Sequence, residues 1–207
     1  LKNNASVVGY YAKIGQRSGP GVLPTLEMYD SEFLGYVQTY LGGQNGSATT
    51  RVKAVNSTFQ AGEVLLIVSV VSADFTNSTL CANGGNRRIQ FAVSYSWDRP
   101  AGGYMRFAAG SRLEMQSILW HTTNADHDKT YLKDFKLVFD DGTWDIGDAD
   151  LTLSDTADPK VNLEKFSVEL QKGGLKLPVA AGRTISTDAR FWGEGGIEKS
   201  GEGTLKF

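Results

Sequence analysis

The stretch Arg88-Ile89-Gln90-Phe91-Ala92-Val93-Ser94-Tyr95-Ser96-Trp97 decides the first reading of the fold. Ile89, Phe91, Val93, Tyr95 and Trp97 alternate with small or polar residues, and a period of two puts the apolar set on one face of a pleated strand. Asn83-Gly84-Gly85-Asn86 stands just ahead of it and has hairpin-turn chemistry. Outward from there the same alternation predicts strands over 50–59, 64–72, 104–108, 113–121, 132–139, 143–146, 149–153, 166–170, 175–179, 185–192 and 204–207. Asp141-Gly142 and Lys172-Gly173-Gly174 read as short hairpin turns. The second of them joins Phe166, Val168 and Leu170 to Leu175, Leu177 and Val179, and Pro178 assigns its strand to an edge or a bulge.

One helix is expected near residues 31–41. Asp30 or Ser31 caps it, Leu34, Val37, Tyr40 and Leu41 share one face, and Gly42-Gly43 stops it. Residues 1–23 read as an irregular N-terminal arm with room for a short strand over 7–14. Many short strands with frequent turns, and no visible repeat, predict an all-β and mostly antiparallel fold. The expectation is a β-sandwich or jelly roll forming a single domain over 1–207.

Composition narrows the function more by exclusion than by assignment. With 207 residues, 41% hydrophobic and 21% charged, the chain can bury a sizeable core. A net charge of −2 gives no general attraction to nucleic acid or anionic membranes. The longest apolar run, residues 64–71, has strand length and is far short of a membrane helix. Cys81 is the sole cysteine, which excludes an intrachain disulfide and a cysteine-based metal cluster, and it reads as a buried structural thiol. The chain opens on Leu1, as a processed product does. Asn4, Asn45, Asn56 and Asn77 all head glycosylation sequons, so the expected location is extracellular or on a particle surface.

Charge is unevenly distributed. Residues 51–112 carry seven Lys/Arg against three acids, and residues 126–158 carry ten Asp against three Lys. Opposite faces of this kind favour stacking on further copies of the chain. The acidic stretch also contains Asp145, Asp148 and Asp150, three carboxylates that a bend at Gly147 can bring together for calcium. His121 and His127 read as solvated loop residues, since their spacing fits no zinc pattern.

No Gly-x-Ser-x-Gly elbow and no phosphate loop is present. A glycan hydrolase would need paired carboxylates, for which Glu114 is the strand-borne candidate, and a lyase would draw on Arg112, His121 and Tyr131. Aromatic residues suit recognition better, because their flat faces stack on sugar rings. Trp120, Trp192 and Tyr104 adjoin polar or glycine-rich stretches and are the expected ligand-binding residues. The first expectation is therefore a secreted, non-catalytic, lectin-like glycoprotein whose partner is a glycan or a protein surface. A self-assembling capsid or filament subunit is the alternative, and a polysaccharide hydrolase or lyase comes third.

Overall fold

The computed structural model describes residues 1–15, 25–42, 49–82, 87–93, 101–122, 132–154 and 163–207. Every strand pairing in these residues is parallel, and they contain no helix. The predicted antiparallel sandwich or jelly roll is overturned: the chain is wound as a parallel β-helix, coil upon coil.

Each complete coil contributes one strand to each of three faces. The first sheet runs β2 (Thr25–Tyr29), β4 (Thr50–Val55), β7 (Val70–Thr76), β10 (Ala101–Ala108), β13 (Leu132–Asp140), β16 (Phe166–Leu170) and β19 (Arg190–Gly193). The second face stacks β5 (Thr58–Ala61), β8 (Thr79–Cys81), β11 (Arg112–Glu114), β14 (Gly142–Trp144), β17 (Leu175–Pro178) and β20 (Ile197–Ser200). The third face stacks β6 (Val64–Ile67), β9 (Arg88–Val93) and β12 (Ser117–Thr122). In the last three coils the third strands are β15 (Leu151–Leu153), β18 (Thr184–Thr187) and β21 (Thr204–Lys206), which form a sheet of their own. Two long strands begin the stack: β1 (Ser6–Ile14) pairs with β3 (Glu32–Leu41), and β3 pairs with β5 through Glu32–Gly35 and with β6 through Gln38–Leu41.

The segment expected to be helical is thus β3. Phe33 and Gly35 are buried, and then Thr39 and Leu41 are. The strand bends from the second face to the third between these pairs, and of the expected helix face only Leu41 is buried, with Leu34, Val37 and Tyr40 half-buried. Within the expected N-terminal arm, the short strand allowed over 7–14 is present as β1, Ser6–Ile14.

The corner between the first and second faces explains why parallel stacking wins over hairpins. Asp30, Asn56, Asn77 and Asp141 occupy left-handed backbone conformations there, with φ of 48°, 50°, 46° and 64°. One such residue between two extended ones turns the chain onto the next face without reversing it, and Asn and Asp tolerate that conformation best. Asp141-Gly142 is such a corner. Gly173-Gly174 likewise leads from β16 on the first sheet to β17 on the second, so the expected hairpin does not form. The Asn83–Asn86 turn lies outside the described residues.

A buried serine follows Asp30, Asn56 and Asn77, and in the next coil Ser111 takes the same place after Gly110, where φ is 79°. The Ser31 amide donates to Ser57 Oγ (3.1 Å), the Ser57 amide to Ser78 Oγ (3.0 Å) and the Ser78 amide to Ser111 Oγ (3.1 Å). Each hydroxyl in turn donates to a backbone carbonyl of its own corner, so no buried hydroxyl of the ladder is unpaired. Outside it runs a side-chain ladder in which Asn77 Nδ2 donates to Asn56 Oδ1 (2.9 Å) and Asn56 Nδ2 to Asp30 Oδ1 (3.0 Å). This is the internal repeat that the sequence hides, because its period varies. Stacked positions are 21 residues apart from Thr50 to Val71, 32 from Val71 to Gly103 and 23 from Ser167 to Arg190.

The interior is filled by residues that repeat from coil to coil. Phe75, Phe107 and Phe139 lie in register on β7, β10 and β13, with ring centroids 5.1 and 5.4 Å apart. Phe33 stacks on Phe59 at 4.7 Å in the coils before them. Trp144 is buried against Phe139, and its indole N–H donates to Met115 O at 3.0 Å. Among the described residues no helix is long and apolar enough to cross a membrane.

Candidate binding face

Alternation on the first sheet sorts its residues cleanly. Val71, Ala73, Phe75, Met105, Phe107, Leu137, Phe139, Val168 and Leu170 point into the coil and are buried. The residues between them point outward, and the parallel register lines them up in rows across the strands. One row is Ser72, Tyr104, Lys136, Ser167 and Arg190; the next is Asp74, Arg106, Val138, Glu169 and Trp192. Strands about 4.8 Å apart put Tyr104 on β10 and Trp192 on β19 about 15 Å from each other on one continuous face.

The polar side chains of this face are joined in two networks. Ser72 Oγ donates to Tyr104 OH (2.8 Å), and Tyr104 OH donates to Asp74 Oδ2 (3.2 Å). Arg106 Nη2 meets Asp140 Oδ2 at 2.6 Å, and Arg106 Nε donates to Gln171 Oε1 at 3.0 Å. Gln171 Nε2 donates to Glu169 Oε1 (3.2 Å), whose other oxygen takes Lys136 Nζ at 2.5 Å. Lys136 Nζ and Arg190 Cζ also lie 5.5 and 5.9 Å from the centre of the Trp192 ring, a cation–π arrangement with both. Trp192 nevertheless remains 41% exposed.

Two open depressions meet at Trp192. One, about 330 Å3, lies among Gly103, Asp134, Lys136, Ser167, Arg190 and Trp192. The other, about 450 Å3, is lined by Asp140, Glu169, Gln171, Lys172, Trp192 and Glu194. A third, smaller one lies over Val138, between Tyr104, Arg106 and Gln171.

The Lys136 ammonium beside Glu169 holds its carboxyl below the ordinary carboxylate range, and the Gln171 amide adds to this against the effect of burial. A carboxylate with a depressed folded value stabilises the protein above its unfolded value of about 4.3, and that contribution is lost as the pH falls through the folded value. Thermal melts between about pH 5 and pH 3 are therefore expected to show a falling Tm. Glu169→Gln is expected to remove part of that fall, and parallel wild-type and variant profiles would contradict the assignment.

Of the residues expected to bind ligand, Tyr104 and Trp192 come together on this face, although both sit within strands and not at loop edges. Trp120 lies on β12 of the third face, and its side chain is outside the described residues, as are those of His121, His127 and Tyr131. Asp145, Asp148 and Asp150 are each engaged separately. Asp145 accepts Arg112 at 2.6 Å and the Gly147 amide at 2.8 Å, Asp148 accepts Arg183 at 2.6 Å, and Asp150 accepts the Thr184 amide at 2.7 Å. The Arg183 guanidinium holds the Asp148 carboxyl below its usual value. Among the described residues no three His, Cys, Asp or Glu converge as a metal site.

Glu114 shares Arg112 with Asp145, at 3.1 Å, on the second face. Burial, with Glu114 adding to it, pushes the Cys81 thiol up to about 11, so it stays protonated and unreactive at neutral pH. Of the sequon residues, Asn4 is exposed next to β1, Asn56 and Asn77 have their amides in the corner ladder, and Asn45 lies outside the described residues. The basic and acidic stretches meet inside the chain, where Arg106 on β10 pairs with Asp140 on β13 and Arg112 on β11 with Asp145 just after β14.

Asp74, Arg106, Lys136, Glu169, Gln171 and Arg190 went unread as site residues. Those on the strands are 23 to 32 residues apart from one row partner to the next, Gln171 follows directly on β16, and only the stacking of the coils joins them. Their one local trace is a polar residue between two buried apolar ones, as Lys136 lies between Phe135 and Leu137. No family model, no curated protein and no solved structure matches this chain.

Proposed function

We propose that this chain is a non-catalytic domain that binds an extracellular polysaccharide laid across the strands of the first sheet. The observation that carries the reading is the exposed Trp192 ring on the same face as Tyr104. A flat, strand-built surface with aromatic rings about 15 Å apart suits an extended polymer with ring-stacking contacts at intervals. Between the rings, the face offers donors and acceptors already held in place by one another, so little side-chain order is lost on binding.

The same network supports recognition over catalysis. A glycosidase acid needs a raised carboxyl value, whereas Glu169 is lowered by Lys136. Asp140 is occupied by Arg106 and the Gly173 amide, and Asp74 by Tyr104. The extracellular setting belongs to this reading through its ligand class. The sequons at Asn56 and Asn77 lend it less, because corner geometry already accounts for an Asn-Ser-Thr order there.

Trp192→Ala is expected to weaken binding to a responsive polysaccharide by about 30-fold, the scale of losing a central aromatic anchor. Affinity electrophoresis against a panel of polysaccharides, with melts to confirm folding, measures this. Undiminished affinity in a folded Trp192→Ala protein would overturn the reading.

A further inference from the structure

The surroundings of Trp192 carry the ligand class further. Two cations lie against its ring, Lys136 and Arg190, and Glu169 joins them through Lys136. Lys136 is neutralised by Glu169 at 2.5 Å. Arg190 has no carboxylate partner among the described residues, and it is exposed. Asp134, on the rim of the same depression, is 3.6 Å from Lys165. The depression of about 330 Å3 is thus left with one surplus positive charge, on Arg190.

A guanidinium held beside an indole, as Arg190 is at 5.9 Å from the Trp192 ring centre, keeps the N–H donors in its own plane free for a carboxylate or sulfate. Ser167, in register between Lys136 and Arg190, adds a hydroxyl to the same row. An aromatic platform with a single uncompensated, planar cation beside it fits a sugar ring that carries one anionic substituent. A neutral sugar leaves the Arg190 fork without a charged partner, whereas a uronic acid supplies it with a bidentate bond.

We infer that the Trp192–Arg190–Lys136 depression is a subsite for an acidic sugar unit, so that the polymer recognised on the first sheet is an anionic, uronate-type polysaccharide. This rests on the polysaccharide-binding reading above. The sugar ring lies on the exposed part of Trp192, its carboxylate meets Arg190, and Ser167 and Lys136 bound the site at the neighbouring coils.

The test compares polygalacturonate, alginate and hyaluronan with their methyl esters, which keep each backbone and remove the charge. Dextran sulfate serves as the sulfate-bearing arm and dextran as the neutral one. The wild-type protein is expected to bind at least one uronate polymer about tenfold more tightly than its ester, with affinity falling as salt rises. Arg190→Gln is expected to collapse that preference to near unity. Arg183→Gln, which removes the cation paired with Asp148 just ahead of β18 and off the first sheet, is expected to leave it intact.

Preference for dextran sulfate over every uronate would overturn the carboxylate assignment. Equal binding of acids and esters, with Trp192→Ala abolishing both, would overturn the acidic subsite and leave polysaccharide binding standing. Binding to no polymer of the set, dextran included, would remove both readings together. An acid preference that survives in Arg190→Gln would assign the recognition to another cation and overturn this site.

Discussion

Phe107→Ala is expected to lower the stability of the protein by about 3–5 kcal/mol, which for a single domain is a large share of the total. Phe107 is fully buried and is held on both sides by stacked rings, Phe75 at 5.1 Å and Phe139 at 5.4 Å. A cavity there cannot close by local collapse, because the coils above and below are fixed at the strand spacing by their backbone hydrogen bonds. Gly142 lies against Phe107 as well, where an added Cβ would be 3.0 Å from the Phe107 Cβ, so at that position the neighbouring coil offers no side chain to fill the space. In a stacked repeat each coil contacts only its neighbours, so a defect in a middle coil weakens the coupling of the two halves. The unfolding transition of Phe107→Ala in urea is therefore expected to move to lower denaturant and to broaden, while Phe107→Leu recovers most of the loss. A shift worth less than about 1 kcal/mol would show that the ring column is not the main support of the middle coils.

Gly103→Ala is the second large effect, with an expected cost of about 4 kcal/mol from backbone strain and overlap together. Gly103 has φ of 105° as the third residue of β10, and a Cβ on it would lie 1.9 Å from the Val71 carbonyl oxygen. That oxygen belongs to the backbone of the adjacent strand, so relief requires β7 and β10 to part. Tyr104 is the next residue, and its bonds to Ser72 and Asp74 cross the same pair of strands. Polysaccharide affinity is therefore expected to fall along with the melting temperature. Gly110→Ala is the control: φ there is 79°, with nothing within 4 Å of the added atom, and its cost is expected near 1 kcal/mol. Equal melting temperatures for the two variants would contradict the steric argument.

These two positions also show how far sequence reading reaches. Period-two alternation locates β10, β13 and β16 and assigns their inward faces, because burial on one side of a strand is a local requirement written residue by residue. It runs straight through the corners, however. The expected strand over 50–59 is β4 and β5 with a corner at Asn56-Ser57, and the apolar run over 64–72 spans β6 and the start of β7 on different faces. A single left-handed asparagine followed by serine leaves little mark on hydropathy. In sequence it reads as a sequon; in the coil, its backbone makes the turn and its side chain makes the ladder.

The binding face divides along the same line. Tyr104 and Trp192 were legible as candidates because large aromatics beside glycine stand out in any sequence. Their partners were not, since Asp74, Arg106, Lys136, Glu169 and Arg190 are ordinary surface charges until the register sets them side by side.

What the sequence determined by itself is that the chain is built of short strands with an apolar and a polar face, and that its single cysteine allows no disulfide framework. Strand direction, the three-faced coil and the rows of the first sheet were decided only by tertiary structure. The physical reason is that a pleat fixes which way a side chain points, whereas the identity of its neighbour across the ladder depends on the length of the coil between them, and here that length varies from 21 to 32 residues on the first sheet.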